Sequence, residues 1–305
     1  MEIARRCKIE SFTPRRLPFD LALKFKYNQD PHIEVSNTCF IETQTSIPVP
    51  RIRDVLSYKD SDNEDAGLIV MDWIEGQTLG EWIEEHTKYP PVHAECMDLL
   101  FNHDLSIAEV DVIQAELDSM ELELDLSHGS MIIQDMRNAL EELRSIPAPS
   151  SSICGLGGRP LLWLRNFGNR EFLPPMSNIA TFHEHLLRIA PLAHLPNRKP
   201  HIDLLTKPVF EKHYSTHFTH SDLHAGNILV RNGRLAAILD WECAGWYPEY
   251  WECTSIYFKV RLPYLKTHKR FWEAVGVFSD QYRQELAMEQ ALWPCTGDLA
   301  CIHDS

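Results

Sequence analysis

The chain has 305 residues, 44% of them hydrophobic and 24% charged, enough apolar material for one large bilobal unit or two ordinary domains. No run approaches the roughly 20 uninterrupted apolar residues of a membrane helix, and the opening MEIARRCKIE lacks the apolar core of a secretory signal, so a cytoplasmic protein with no membrane partner is expected. A net charge of −15 argues against nucleic acid, whose phosphates it would repel, and eight scattered cysteines without a CxxC pair indicate neither a disulfide framework nor a zinc site.

Leu21 to Phe25, LALKF, reads as a short strand carrying Lys24, with Lys26 two residues on and on the same face. A helix is expected from about Ile33 to Gln44, with Glu34 in its first turn and Glu42 near its end. Thr45 to Pro50, TSIPVP, is a proline-punctuated lead-in to the next strand, since neither proline can donate a ladder hydrogen bond. Gly67 to Ile74, GLIVMDWI, reads as a buried strand ending at Glu75-Gly76. Beyond Leu79 the pattern turns helical, and Ile113, Leu117, Met120 and Leu124 mark one face of an amphipathic helix. Residues 89 to 136 hold eleven acids and no Lys or Arg, so much of the charge imbalance belongs to one solvated acidic segment. Met131 to Leu143 repeats the helical period. Pro147 to Pro160, PAPSSSICGLGGRP, is a loop whose GLGG reads as a turn, because no strand-to-helix context accompanies it. Residues 165 to 200 show little periodicity and read as a connecting or substrate-facing region.

The segment Phe218 to Glu242, FTHSDLHAGNILVRNGRLAAILDWE, carries the chemistry. Two apolar runs, Asn227 to Val230 and Leu235 to Leu239, flank Asn232-Gly233, the dipeptide of a two-residue type I′ turn. A hairpin centred there sets Asn227 opposite Ile238 and Asp240 opposite Ala225, so an amide oxygen and a carboxylate share one open end. A divalent cation such as Mg2+ needs no more protein ligands than these. Asp222, just before the first strand, is then free to orient or deprotonate a hydroxyl. His220, Asp222 and Asn227 also reproduce the HxDxxxxN spacing of a kinase catalytic loop, with Asp240 at the distance of the second magnesium ligand. In such a site a strand lysine and a helix glutamate hold the nucleotide phosphates. Lys24 with Glu34 is the favoured pair, Lys26 the rival and Glu42 the fallback, and backbone groups near Asp72 to Ile74 would meet the adenine edge. Ser221 stands where a regulated protein kinase has arginine, and helix-like sequence resumes soon after Asp240, which argues against a protein substrate. The aromatics Trp241, Trp246, Tyr247, Tyr250 and Trp251 read as packing a helix onto the hairpin, in preference to a cation–π cage.

The pieces LALKF, TSIPVPRI, IVMDWIEGQTL, ELRSIPAP, GLGGRPL, THSDLHAGNILV and ILDWECAGWYPEYWE resemble the aminoglycoside phosphotransferase and choline kinase-like family, particularly its large group of fungal proteins, over about residues 21 to 258. The resemblance implies an α+β, protein kinase-like bilobal fold. A small β-rich N-lobe would span residues 1–75, and a larger helical C-lobe 76–305, with an acidic insertion near 86–126. It implies ATP and Mg2+ as cofactors and phosphoryl transfer to a hydroxyl of a small-molecule alcohol, for which the negative charge suits a cationic acceptor. Antibiotic, choline-like, sugar and secondary-metabolite alcohols all fit. Carried over by position, Asp222 is the catalytic base and His220 supports its loop, Asn227 and Asp240 hold metal, Lys24 and Glu34 hold phosphate, and Asp72 and Ile74 belong to the hinge. The sequence departs from the pattern in two respects: its first glycine is Gly67, so no glycine-rich loop precedes the lysine strand, and the acidic stretch from about His86 to Leu126 is longer than the family's usual connection. The upper lobe is therefore expected to be incomplete at its start, its covering strands missing or reduced to about residues 7 to 12. The competing reading is a pseudokinase or binding module that keeps the loop and handles nucleotide poorly.

Overall fold

The computed structural model describes residues 14–27, 29–59, 65–102, 105–163, 171–260 and 265–293, and the stretch 7–12 lies outside the described residues. The fold is α+β. The first sheet contains β1 (Arg15–Leu17), β2 (Leu21–Tyr27), β3 (Ile52–Lys59) and β4 (Asp65–Asp72), antiparallel and ordered β1-β2-β4-β3. Successive strand side chains face opposite sides, and β2 alternates accordingly: Ala22, Lys24 and Lys26 are buried, while Leu21, Leu23 and Phe25 are half-buried. Both lysines therefore point inward, as their shared face of the strand predicts. The turn Pro18-Phe19-Asp20 joins β1 to β2 with Phe19 and Asp20 at φ 66° and 53°, a left-handed conformation held here without glycine.

Helix α1 (Pro31–Gln44) starts two residues earlier than expected, because Asp30 accepts the His32 N–H and Pro31 fits the first helical position. Its buried face is Glu34, Asn37, Thr38 and Ile41, spaced i, i+3, i+4, i+7 and polar at three positions, so the helix presents functional groups where an apolar stripe would ordinarily pack. Gly67 on β4 sets how closely this helix lies on the sheet: a Cβ there would come 2.4 Å from Pro31 Cγ and 2.6 Å from the Leu56 carbonyl oxygen. The chain then leaves the sheet through Gly76, where a Cβ would come 2.6 Å from the Val230 carbonyl oxygen.

Below the sheet, β5 (Gln77–Thr78) leads into α2 (Leu79–Glu85), started by a Thr78–Glu81 capping box. β6 (Thr87–Lys88) and β7 (Glu123–Leu124) pair as the neck of an excursion made of α3 (Pro91–Asn102) and α4 (Ile107–Ser119). This acidic segment has a core of its own, Cys96, Ile113 and Leu117. The expected single helical face stops short: α4 ends at Ser119, Met120 caps it, and Leu124 lies on the neck strand. Helix α5 (Ser130–Ser145) buries Ile132, Met136, Ala139, Leu140 and Leu143, as its period predicts. β8 (Cys154–Gly155), a short turn over the GLGG glycines, β9 (Leu161–Trp163) and β10 (Glu171–Leu173) follow.

The region 165–200 does hold a regular element. Helix α6 (Ile179–Ile189) is capped by the Asn178 side chain accepting the Thr181 N–H, and it buries Phe182, His183 and Leu186; α7 (Lys199–Phe210) then begins. His183 packs like an apolar residue, flat on Phe210 with ring centroids 4.3 Å apart, and that role is invisible when histidine is counted as polar. The remaining elements are β11 (Thr216–Thr219), β12 (Ile228–Arg231), β13 (Arg234–Ile238), β14 (Gly245–Pro248), α8 (Trp251–Lys259), α9 (Lys266–Val275) and α10 (Arg283–Leu292). β12 lies between β13 and β5, and β14 between β11 and β8. Trp241, Trp246, Tyr247, Tyr250 and Trp251 are all buried, with Tyr247 stacked on Trp251 at 5.6 Å, so the aromatic run is core packing. No helix among the described residues is long and apolar enough to cross a membrane.

Candidate active site

The hairpin turns as expected, with Asn232 and Gly233 at φ 54° and 71°, both positive as a type I′ turn requires. Its register differs. A bulge between Leu229 and Val230 pairs Ile228, not Asn227, with Ile238, and the Leu239 N–H donates to the Asn227 carbonyl at 2.8 Å. Continued outward, that register would set Asp240 against Gly226, one residue from the expected Ala225. The open end survives the slip, because Ala225–Asn227 forms a tight turn that returns Asn227 toward Asp222.

His220 is fully buried and supports this loop from beneath. Its Nε2 donates to the Leu239 carbonyl at 2.8 Å and its Nδ1 accepts the Asp222 N–H at 3.2 Å, while burial lowers its pKa and keeps the ring neutral. Ser221 stands at φ 67°, uncommon for a residue with a side chain. Two groups hold it: Glu252, whose carboxylate accepts the N–H groups of His220 (2.6 Å) and Ser221 (3.2 Å), and Trp251, whose indole donates to Ser221 Oγ at 3.0 Å. Burial pushes the Glu252 carboxyl up to about 7, although both N–H groups act to lower it. Glu252 was missed in the sequence because it sits inside an aromatic run that announces packing.

Lys259, at the end of α8, was missed as well, and its ammonium pairs directly with Asp222 Oδ1. Burial alone would raise the Asp222 carboxyl; Lys259, followed by His224, outweighs it and holds the pKa below the ordinary carboxylate value. His224 itself is pushed down to about 4, first by burial and then by Lys259, so it is neutral near pH 7. Asn227 spends its amide nitrogen on the Asp222 carbonyl (3.0 Å) and side chain (3.4 Å), and its amide oxygen takes no hydrogen bond among the described residues.

Opposite this loop stand the lysines of β2. Lys24 Nζ lies 2.8 Å from Glu34 Oε1 and 2.8 Å from Asp240 Oδ1, which joins three of the sequence-predicted residues. Glu42 is exposed and takes no part. Lys26 contacts Glu34 Oε2 and Glu242 Oε2 and lies 3.8 Å from Asp240 Oδ1. Burial works against both ammonium groups, but Glu34 with Asp240 raises the Lys24 pKa, and Glu34 with Glu242 raises that of Lys26. In return, Lys24 and then Lys26 overcome burial to hold the Asp240 carboxyl well below its usual range, whereas burial and Asp240 push Glu242 up. Asp240, at φ 62°, begins a short turn that α1 secures from above: Asn37 Nδ2 donates to the carbonyls of Trp241 (2.8 Å) and Ala244 (3.2 Å).

The hinge expectation is narrowed. The Asp72 N–H goes to the Arg51 carbonyl (3.0 Å), the Asp72 carboxylate takes Arg53 Nη2 (2.9 Å), and the Trp73 N–H goes to the Asp20 carbonyl (2.8 Å). The Ile74 backbone makes no hydrogen bond among the described residues. An ionised Asp240 and a free Asn227 amide oxygen are hard oxygen donors of the kind Mg2+ takes.

A model of the Phosphotransferase enzyme family (APH) matches residues 40–286, most of the chain. The chain belongs to this family. Among solved structures, the chain is similar to a thermostable mutant of aminoglycoside phosphotransferase APH(4)-Ia in its apo form, at TM-score 0.52 and 14% identity over 90% of this chain and 79% of that one. It is also similar to a ternary complex of that protein with AMP-PNP and hygromycin B, at TM-score 0.53 and 12% identity over 95% and 87%. At such identities the likeness is one of fold, the kinase-like fold of the phosphotransferases. No curated protein matches this chain.

Proposed function

We propose that the chain is an ATP- and Mg2+-dependent phosphotransferase that acts on a hydroxyl of a small molecule. The observation that carries this reading is the convergence of Lys24, Glu34 and Asp240 opposite Asp222 and Asn227, from a strand, a helix and the two ends of a hairpin. The Asn227 amide oxygen and the Asp240 carboxylate are the donors that would hold Mg2+, which when bound neutralises charge on the nucleotide phosphates. Lys24 offers its ammonium to the same phosphates while Glu34, 2.8 Å from it, holds that ammonium in place. Asp222, ionised because Lys259 depresses its pKa, accepts the hydrogen of the acceptor hydroxyl and aims its oxygen; an acid this strong takes the proton late, so its contribution is mainly positioning. Residues 1–75 would form the nucleotide-covering lobe with its hinge near Ile74, and 76–305 the lobe that holds the loop and the acceptor. A cytoplasmic location suits a consumer of ATP.

A fluorescent ATP analogue titrated with and without Mg2+ tests the nucleotide half, and a phosphotransfer screen across small-molecule alcohols identifies the acceptor. Asp240→Ala is expected to lower turnover by about 10²-fold or more, as removal of a group aimed at transition-state charge does, with the fold retained by circular dichroism. Wild-type-like turnover by this variant would sink the assignment. Absence of saturable nucleotide binding by the parent would favour the binding-module reading.

A further inference from the structure

His224 takes no part in the phosphotransfer scheme above, yet its ring stands beside Asp222 with one nitrogen unengaged. Its Nδ1 accepts the Gly226 N–H at 3.1 Å. In the neutral ring the other nitrogen then carries the proton, so Nε2 is a donor. That Nε2 makes no hydrogen bond among the described residues and lies 4.0 Å from Asp222 Oδ2, on a side chain 41% exposed. We propose that His224 and Asp222 form a two-point cradle for the acceptor oxygen, with Nε2–H donating to that oxygen and Oδ2 accepting its hydrogen.

Distance and hydrogen-bond occupancy carry the inference together. Two groups 4.0 Å apart are too far to bond each other, but an oxygen about 2.8 Å from each bonds both at once. The carboxylate is open on this side: Lys259 takes Oδ1, whereas among the described residues Oδ2 receives one long hydrogen bond, from Asn227 Nδ2 at 3.4 Å, and an ionised carboxylate oxygen accepts more than one. Gly226 lets the ring lie close to its own loop, since a Cβ there would come 3.0 Å from His224 Cε1 and 3.1 Å from Nδ1. An uncharged donor suits the place, because a cation would pair with Oδ2 itself and close the gap. A hydroxyl held in the cradle gives one hydrogen bond and receives one, which leaves its second lone pair for the phosphorus. As that lone pair bonds to the terminal phosphorus, the phosphorus–oxygen bond to the nucleotide breaks, and the hydroxyl proton passes to Asp222 Oδ2 and then to solvent. The proposal rests on the phosphotransferase reading, because the cradle holds the acceptor of that reaction.

Water is an acceptor that is always present, so the probe is MgATP hydrolysis by the full chain, read as released inorganic phosphate. His224→Asn sets an oxygen near the Nδ1 position, which keeps the Gly226 N–H, and offers nothing at Nε2. His224→Gln brings an amide nitrogen near the Nε2 position and gives up the cap. The cradle predicts a kcat lowered about 10-fold or more in His224→Asn with the KM for ATP unchanged, and largely restored in His224→Gln. Equal losses in the two variants, or a faster His224→Asn, would show that the ring merely caps its loop and would overturn the proposal. A second measurement depends neither on turnover nor on the folding of a variant: nitrogen NMR of the isotope-labelled wild type should show His224 protonated at Nε2, and protonation at Nδ1 instead would also overturn the proposal. A wild type that binds MgATP and releases no phosphate refutes this inference alone, whereas one that shows no saturable MgATP binding refutes the phosphotransferase reading itself.

Discussion

Glu252 offers the sharpest test of the forces that shape the loop, because two of them pull in opposite directions. Its carboxylate accepts two backbone N–H groups, which favours ionisation, and it is buried beneath the loop, which opposes it. The outcome is a carboxyl pushed up from its ordinary 4.5 to about 7, so burial wins. An acid whose folded pKa is raised contributes stability that is fully present below the unfolded value and lost as pH rises through the folded one, here between pH 4.5 and about 7. At about 1.4 kcal/mol per pH unit the loss approaches about 3 kcal/mol by pH 8. Glu252→Gln removes the titration and keeps the shape, but its amide can accept only one of the two N–H groups, at a pH-independent cost of about 1–3 kcal/mol. In urea unfolding curves measured from pH 5 to pH 8, the variant should start less stable than the wild type and gain on it by about 2–3 kcal/mol, ending level or ahead. Parallel pH profiles for the two proteins would refute the reasoning. A variant that falls further behind as pH rises would show that the two N–H groups outweigh burial and that the carboxyl is depressed.

Lys259→Met removes the main group holding Asp222 ionised, so the acid limb of the pH–rate profile should move to higher pH, with a stability loss of about 1–3 kcal/mol at neutral pH from the stranded carboxylate; an unmoved limb would exclude Lys259 as the cause. Leu117→Ala empties the small core of the α3–α4 excursion, where a fully buried leucine truncation costs about 2–5 kcal/mol. Because that core is separate from the main one, hydrogen exchange should accelerate over residues 91–119 and leave the β12–β13 hairpin protected. Faster exchange in both regions would show that the two cores are energetically one.

Much of the candidate site was legible because its signals are local. His220, Asp222 and Asn227 fall within eight consecutive positions, Asn232-Gly233 dictates its own turn, and an alternating strand shows its inward lysines by count alone. Where the reading slipped, a distant partner had intervened. The bulge at Leu229 and Val230 shifts the register by one, in a strand that also pairs with β5 on its other side. Lys24 and Lys26 seemed to compete because one glutamate was assigned to them, whereas three carboxylates await them, two of those contributed more than 200 positions later. Helix α6 escaped notice between prolines because His183, which packs as an aromatic, broke its apolar count.

The sequence by itself determined the family, the strand and helix that carry Lys24 and Glu34, and the catalytic-loop spacing, since short-range periodicity and turn chemistry act over a few residues and leave their mark there. Only the tertiary structure decided that Glu252 underpins the strained Ser221, that Lys259 faces Asp222, and that Lys26 lies among Glu34, Asp240 and Glu242. Apart from the Lys26–Glu34 contact, these relations join groups from 31 to 216 positions apart. The strength of such a contact depends on burial and distance in the folded chain, and neither quantity exists until the elements have packed.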